Sequence, residues 1–203
     1  MKNLLFVLSM LLPLVAQAAE FSKVQTDKST ITFVSKQMSV PVEGVFKKFT
    51  VHVRINPAKP ETGMAHIEID AASIDTGSVE ANDEVKGKSW FNVAEFHKAE
   101  FISSSVKALG AGRFEAAGKL TIKGKSMEVR APFTLKEEKG MLYIDGAFAL
   151  KRLEFGIGSG LWSDTSVVAD EVQIKFHDKS PGWVGKKLLN NYVKKTTSAL
   201  HET

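Results

Sequence analysis

His52, His66 and Glu68 are the residues whose types and spacing come nearest to a chemical site. They lie on the polar faces of two neighbouring segments that alternate apolar and polar residues. Two imidazoles and a carboxylate on adjacent strands can bind a divalent metal ion. If Ile55 pairs with Ala65, however, His52 lies opposite Glu68, and such residues form ordinary cross-strand polar contacts. We favour this second interpretation and predict no metal site.

The glycine-rich run Gly156-Ile157-Gly158-Ser159-Gly160 is the next candidate, because glycine-rich loops can bind phosphate groups. Those loops lead into a helix whose N-terminus receives the phosphate, whereas a strand-like segment follows this one. We therefore predict a turn or bulge. The sequence has no G-x-S-x-G elbow, no H-E-x-x-H motif and no cysteine. It predicts no catalytic residue, no enzymatic activity and no cofactor other than a bound ligand.

The first 18 residues have the organisation of a cleavable signal peptide. Lys2 is followed by an apolar segment over 4–15 and by Ala16-Gln17-Ala18, a small-residue cleavage site. This pattern predicts export to the periplasm. The apolar segment is too short to cross a bilayer, and no later stretch approaches the required length.

The composition favours one domain with a substantial core. The chain has 203 residues, a net charge of +4 and no cysteine, so an exported form cannot be stabilised by disulfides. We place this domain at 19–179, a length at which single β-barrels are common. No basic cluster is interleaved with aromatic residues before the C-terminus, which argues against nucleic-acid binding.

Period-two alternation of apolar and polar residues dominates the middle of the chain and predicts β-strands. No alternation of strands with helices is visible, so we expect an antiparallel sheet, closed or nearly closed into a barrel. Gly44 is predicted to mark a bulge or a close approach of two backbones. The eight predicted strands are 31–35, 50–55, 65–69, 101–106, 113–122, 127–135, 142–150 and 167–176.

Residues 73–101 interrupt the strands with acidic, turn-forming and aromatic residues at roughly helical spacing. We predict a short helical lid from Val79 that carries Trp90, Phe91 and Phe96 toward the mouth of the barrel. The alternative is that these aromatic residues are ordinary core.

The C-terminal segment 180–203 predicts a basic amphipathic helix, since apolar residues recur at helical spacing among lysines. Two interpretations remain open. The helix packs on the barrel with a solvated lysine face, which we favour, or 182–203 makes a peripheral contact with anionic lipid.

Several short motifs in a fixed order resemble the YceI family of bacterial exported lipid-binding proteins over 21–177. They are Gly44-Val45-Phe46, Ser73-Ile74-Asp75-Thr76-Gly77, Asp83, Phe91, Phe101, Gly118-Lys119-Leu120-Thr121-Ile122-Lys123-Gly124 and Arg152-Leu153-Glu154-Phe155-Gly156-Ile157. The resemblance implies a lipocalin-like, eight-stranded antiparallel barrel enclosing an apolar tunnel for a polyisoprenoid or an isoprenoid quinone. It also implies a partner, a membrane cytochrome b561.

The leading functional hypothesis is therefore a periplasmic carrier of an isoprenoid lipid. The alternative is a non-catalytic accessory protein of a membrane redox system with a cytochrome b561-like partner, and a homodimer is allowed. For each inward residue, the competing interpretation is that it only fills the core. The candidate ligand contacts are Phe33, Phe46, Val53, Ile67, Ile69, Trp90, Phe91, Phe96, Leu120, Ile122, Val129, Phe133, Ile144, Phe148, Phe155 and Trp162.

Overall fold

The structure is a computed structural model that describes residues 20–22, 28–55, 59–139 and 141–181. The predicted leader, 1–18, lies outside the described residues, as does nearly all of the predicted C-terminal helix. The described residues form one α-helix, α1 (Val79–Lys86), four short 3₁₀ helices and eleven strands. The strands are β1 (Glu20–Ser22), β2 (Thr30–Gln37), β3 (Val40–Phe46), β4 (Phe49–Arg54), β5 (Met64–Asp70), β6 (Ile74–Asp75), β7 (Lys98–Gly110), β8 (Arg113–Ile122), β9 (Lys125–Glu138), β10 (Met141–Lys151) and β11 (Glu171–Pro181).

All eleven strands belong to one antiparallel sheet that curls back on itself. Its order is β1-β4-β5-β7-β8-β9-β10-β11-β2-β3-β6. Lys47 and Lys48 join β3 directly to β4, so the pairings β2 with β3 and β4 with β5 complete a circuit through a single run of chain. The antiparallel all-β class predicted from sequence is confirmed.

The strands outnumber the eight predicted because β1, β3 and β6 lie in segments where no strand was predicted. β1 and β2 pair with β4 and β3, and β5 and β6 pair with β4 and β3 from the other side. The extra strands thus lengthen the sheet along β3 and β4, which residues 47 and 48 join. β11 also differs from the prediction. It begins at Glu171 rather than 167 and continues to Pro181, because its ladder with β10 extends to Met141; residues 180 and 181 are thus strand, not the start of the predicted helix.

Glycines allow the sheet to curl where a side chain would hold the strands apart. Gly118 on β8 lies so close to the backbone of Ile102 and Ser103 that a Cβ atom would overlap it. A β-bulge between Ser103 and Ser105 bends β7 over the same point. A Cβ atom at Gly44 would overlap both the Phe33 ring and the backbone oxygen of Asp75. The second contact confirms the predicted close approach of two backbones, although the β2–β3 register is continuous there.

The antiparallel path places the connections at two ends of the curled sheet. One end, which we call the helix end, holds the turn at Met38–Ser39, the segment 76–97 with α1, the turn at 123–124 and the long connection 152–170. The other end, the opposite end, holds the β7–β8 turn at 111–112 and the end of β11. The larger connections therefore gather around the helix end.

Arg152 organises the connection between β10 and β11. Its side chain is only 1% exposed although it follows directly after a strand, and no carboxylate pairs with it among the described salt bridges. Instead the guanidinium, which has five N–H donors, uses all of them on backbone carbonyl groups at 2.7–3.0 Å. The acceptors are the carbonyl oxygens of Ile157, Gly158, Trp162, Val168 and Ala169.

The glycine-rich run wraps around this guanidinium, which explains its composition. Gly158 has a left-handed φ of 70°, and a Cβ atom there would overlap Arg152 Nη1. Gly156 and Gly160 are also left-handed, with φ of 71° and 67°. The predicted turn is confirmed in outline, because the run forms turns between two short 3₁₀ segments, Arg152–Phe155 and Gly160–Ser163.

Replacing Arg152 tests whether these five contacts hold the connection in place. We expect Arg152→Met to lower the free energy of unfolding by about 4 kcal/mol, because buried carbonyl groups lose their donors. Arg130→Met is the matched control, since Arg130 pairs with Glu115 on the surface and its side chain is 65% exposed; its loss should be about 0.5 kcal/mol. Urea unfolding followed by tryptophan fluorescence measures both, and equal losses would contradict the assignment.

Candidate functional site

An apolar cavity of about 520 Å³ occupies the interior of the curled sheet. Inward side chains of the long strands form its wall, and the period-two pattern places them there because alternate residues of a strand face one side. Charged and polar lining residues lie toward its two ends, with apolar side chains between them. A cavity of this size and polarity is in the range of small-molecule binding sites.

Thirteen of the sixteen predicted contact residues line this cavity. That they contact a ligand remains a prediction. The thirteen are Phe33, Phe46, Val53, Ile67, Ile69, Trp90, Phe91, Leu120, Ile122, Phe133, Ile144, Phe148 and Trp162.

Phe96, Val129 and Phe155 do not line the cavity. Phe155 is 1% exposed and fills a core cluster beneath the connection that Arg152 organises. Val129 packs against the same cluster, and Phe96 lies against Gly124 in the β8–β9 turn. These three belong to packing layers that sequence periodicity cannot separate from the cavity wall.

Two small residues that the prediction omitted are part of the wall. Ala116 on β8 and Ala131 on β9 pair directly, are 7% and 6% exposed, and line the cavity. Small side chains at paired inward positions leave room that larger ones would fill. The alternation placed both residues inward. Two alanines at inward positions were therefore the sequence feature that could have indicated this part of the cavity wall.

Helix α1 lies at the helix end and is shorter than predicted. Ser78 caps its N-terminus by accepting a hydrogen bond from the Ala81 amide at 3.3 Å, and the helix stops before Gly87. Trp90 therefore lies beyond the helix, not on its last turn. The chain folds back after α1, with the Phe91 amide donating to the Val85 carbonyl at 3.0 Å. This return brings Trp90 and Phe91 to the cavity, as predicted.

Glu84 connects α1 to the connection between β10 and β11. Its Oε1 atom accepts hydrogen bonds from the indole N–H of Trp90 at 3.2 Å and of Trp162 at 2.7 Å. The two indole rings lie 5.5 Å apart, and the Arg152 guanidinium lies 5.6 Å from the Trp90 ring. Sequence reasoning did not identify Glu84, because its partners are 6 and 78 residues away.

Arg152 also lines the cavity, but it has no free donor to offer a ligand. All five of its N–H groups bind carbonyl oxygens. Burial lowers the pKa of the guanidinium from its ordinary value, while the charge of Asp170 opposes this shift. Arg152 is therefore a positioning group for the wall rather than an exposed cation.

A second polar pair lies at the opposite end of the cavity. The Ser29 hydroxyl donates to Asp178 Oδ1 at 2.5 Å, and both residues are buried and line the cavity. Arg54 and His177 lie at the same end. Both ends of the cavity thus carry groups that can form hydrogen bonds with a ligand.

The predicted register of β4 and β5 is wrong by two residues, which changes the histidine group. His52 pairs with His66, not with Glu68, because Arg54 pairs with Met64. His66 Nε2 lies 2.8 Å from Glu100 Oε1, and ligand atoms of His66, Glu68 and Glu100 lie within 4.8 Å of one another. Lys98 donates to Glu68, which holds the pKa of that carboxyl below its ordinary value. This outer-face group is therefore already partnered by hydrogen bonds.

None of the helices among the described residues is long and apolar enough to span a membrane.

Solved structures of two similar proteins share this fold. BcnA of Burkholderia cenocepacia is 46% identical, with a TM-score of 0.76 over 77% of this chain and 99% of that one. A polyisoprenoid binding domain from Saccharophagus degradans has a TM-score of 0.62 at 16% identity, over 82% of this chain and 99% of that one. At such low identity the second likeness shows the fold alone.

Sequence comparison leads to the same group of proteins. A UPF0312 protein of Pseudomonas syringae pv. tomato is 30% identical over 94 residues, 45% of this chain and 49% of that protein. A UPF0312 protein of a Shewanella species is 29% identical over 131 residues, 63% of this chain and 66% of that protein. The chain spans about half the length of the Pseudomonas relative. The family model described as a YceI-like domain matches residues 23–179, so this chain belongs to the YceI-like domain family.

Proposed function

We propose that this protein binds a polyisoprenoid, or an amphiphile of the isoprenoid-quinone type, in the cavity and carries it through the periplasm. The observation that carries the proposal is the cavity itself, about 520 Å³ with an apolar wall and polar groups toward its ends. A long apolar chain with a polar headgroup has the same distribution of polarity. The description of the Saccharophagus relative as a polyisoprenoid binding domain supports this ligand class.

Burial of the chain supplies ample free energy for such binding. A prenyl chain of roughly 20 carbons gains about 16 kcal/mol gross at about 0.8 kcal/mol per buried carbon. Association and ordering oppose this gain by about 4–15 kcal/mol. The wall therefore does not need many polar contacts, which agrees with its largely apolar lining.

The role is one of binding rather than catalysis, and the periplasmic location follows from the predicted leader. The contact with a cytochrome b561-like membrane protein, the homodimer and the peripheral membrane contact through 182–203 remain predictions. Residues 182–203, which the predicted membrane contact involves, lie outside the described residues.

Blocking the cavity from one wall tests the ligand site. We expect Ala116→Trp to lower the affinity for geranylgeraniol, a 20-carbon prenyl alcohol, by about 10- to 100-fold, because an indole in the wall overpacks the bound chain by about 1–3 kcal/mol. Ala117→Trp is the matched control. Ala117 is the next residue of β8, pairs with the exposed Arg130 and does not line the cavity.

Native mass spectrometry measures both the lipid that is retained on mild purification and the titration with geranylgeraniol. The wild-type protein and Ala117→Trp should each carry one prenyl lipid per chain. Equal loading of the two tryptophan variants, or a wild-type protein that binds no prenyl lipid, would refute the proposed site.

Removing Glu84 tests whether α1 retains the ligand. We expect Glu84→Ala to accelerate release of geranylgeraniol into excess phosphatidylcholine vesicles by at least about tenfold, since two hydrogen bonds of about 1 kcal/mol each are lost. Asp83→Ala is the control, because Asp83 is an exposed acidic residue on the same helix. Release is followed by timed native mass spectrometry. Equal release rates for the two variants would show that Glu84 does not hold the ligand in.

A further inference from the structure

Four large apolar side chains are exposed to solvent at the helix end. Leu161 is 96% exposed, Val79 71%, Met38 69% and Val40 63%. We call these four residues the mouth ring. Three other large apolar residues among the described ones are exposed to 49–55%, and they lie elsewhere on the sheet. The helix end therefore carries the most exposed apolar side chains of the described chain.

Direct hydrogen bonds bring the three connections that carry the mouth ring together. The Met38 amide donates to the Val167 carbonyl at 2.8 Å, which ties the β2–β3 turn to the connection that contains Leu161. The Trp162 indole binds Glu84 of α1, the helix that begins at Val79. The mouth ring is thus one end of a fixed assembly and not four separate flexible tips.

The mouth ring borders the cavity. Gln37, Glu80 and Trp162 line the cavity, and each is the immediate chain neighbour of a mouth-ring residue. Gln37 and Glu80 are also exposed to solvent, so the cavity reaches the surface here. A molecule that enters or leaves at this end passes between the exposed apolar side chains.

Met38 occupies a backbone conformation that its side chain disfavours. Gln37 pairs with Val40, so Met38 and Ser39 form a two-residue hairpin turn, with φ of 47° and 69°. Such turns favour Asn and Gly, which tolerate positive φ. The Met38 side chain is 69% exposed, so its burial does not offset this strain, and strain of this kind points to a functional demand.

We propose that the mouth ring docks on the surface of a phospholipid bilayer and so places the cavity opening against the membrane. This inference rests on the proposed function, because a prenyl ligand is dissolved in the bilayer. Lys36 and Lys88 are exposed and suit the phosphate groups of the headgroup layer. Lys36 is two residues before Met38, and Lys88 precedes Ser89, whose carbonyl accepts a hydrogen bond from Ser159 in the connection that carries Leu161. Four side chains around an opening offer far less than the roughly 800 Å² per partner of a stable protein interface, whereas they suit shallow, reversible insertion.

The test compares two routes by which the protein can be loaded. Geranylgeraniol is supplied either in vesicles of phosphatidylcholine and phosphatidylethanolamine or as a soluble cyclodextrin complex, and loading of the full chain is followed by timed native mass spectrometry. Leu161→Asp and Met38→Asp each remove one apolar contact of the ring. Leu109→Asp is the matched control, since Leu109 is 49% exposed at the opposite end of the sheet.

Leu161→Asp and Met38→Asp should each slow loading from vesicles about tenfold and leave loading from cyclodextrin unchanged. Leu109→Asp should match the wild-type protein by both routes. Vesicle loading that is unaffected by the ring variants, or slowed by Leu109→Asp instead, would overturn the docking surface while the lipid-binding function stands. Loading from neither source would overturn the proposed function itself.

Analytical ultracentrifugation of the same proteins examines the competing occupant, a second copy of this chain. We expect the wild-type protein and Leu161→Asp to have the same oligomeric state. A wild-type dimer that Leu161→Asp converts to a monomer, without a change in vesicle loading, would assign the mouth ring to a subunit interface and overturn the membrane proposal.

Discussion

The helix end depends on the hydrogen bonds that the buried guanidinium of Arg152 donates. A charge removed from water is tolerated only when its donors are fully satisfied, and here five carbonyl groups of one connection supply the acceptors. The same contacts fix the carbonyl of Trp162, whose indole binds Glu84 of α1. The lid is therefore positioned by a chain of polar contacts that begins at one arginine.

The interior of the sheet serves two opposing requirements. A chain without cysteine needs a densely packed core, yet a binding cavity removes packing from the middle of that core. The structure separates these tasks in space. Phe155 fills a dense layer under the Arg152 connection, while the small side chains of Ala116 and Ala131 line the cavity. A bound lipid adds stability through linkage, so an occupied cavity compensates for the missing core atoms.

The unequal distribution of connections gives the two ends different roles. The β7–β8 turn at the opposite end is short, whereas the helix end collects α1, the Arg152 connection and the exposed mouth ring. A rigid sheet with elaborated loops at one end is a common way to build a binding site, because loops can vary while the strands hold their places. In this protein, the elaborated end also combines the exposed mouth ring with the hydrogen bonds of Glu84, an arrangement that suits the proposed exchange with a membrane.

Local sequence determined the class of fold and most of the cavity wall. Alternation with a period of two placed residues such as Val53, Ile67 and Ile144 on the inner face, since side chains of a strand point to opposite sides in turn. The tertiary structure decided what alternation cannot express: the register that pairs His52 with His66, the separation of Phe155 from the cavity, and the contacts of Arg152 and Glu84. Those depend on residues distant in the chain, and no local pattern encodes which distant groups meet when a sheet curls.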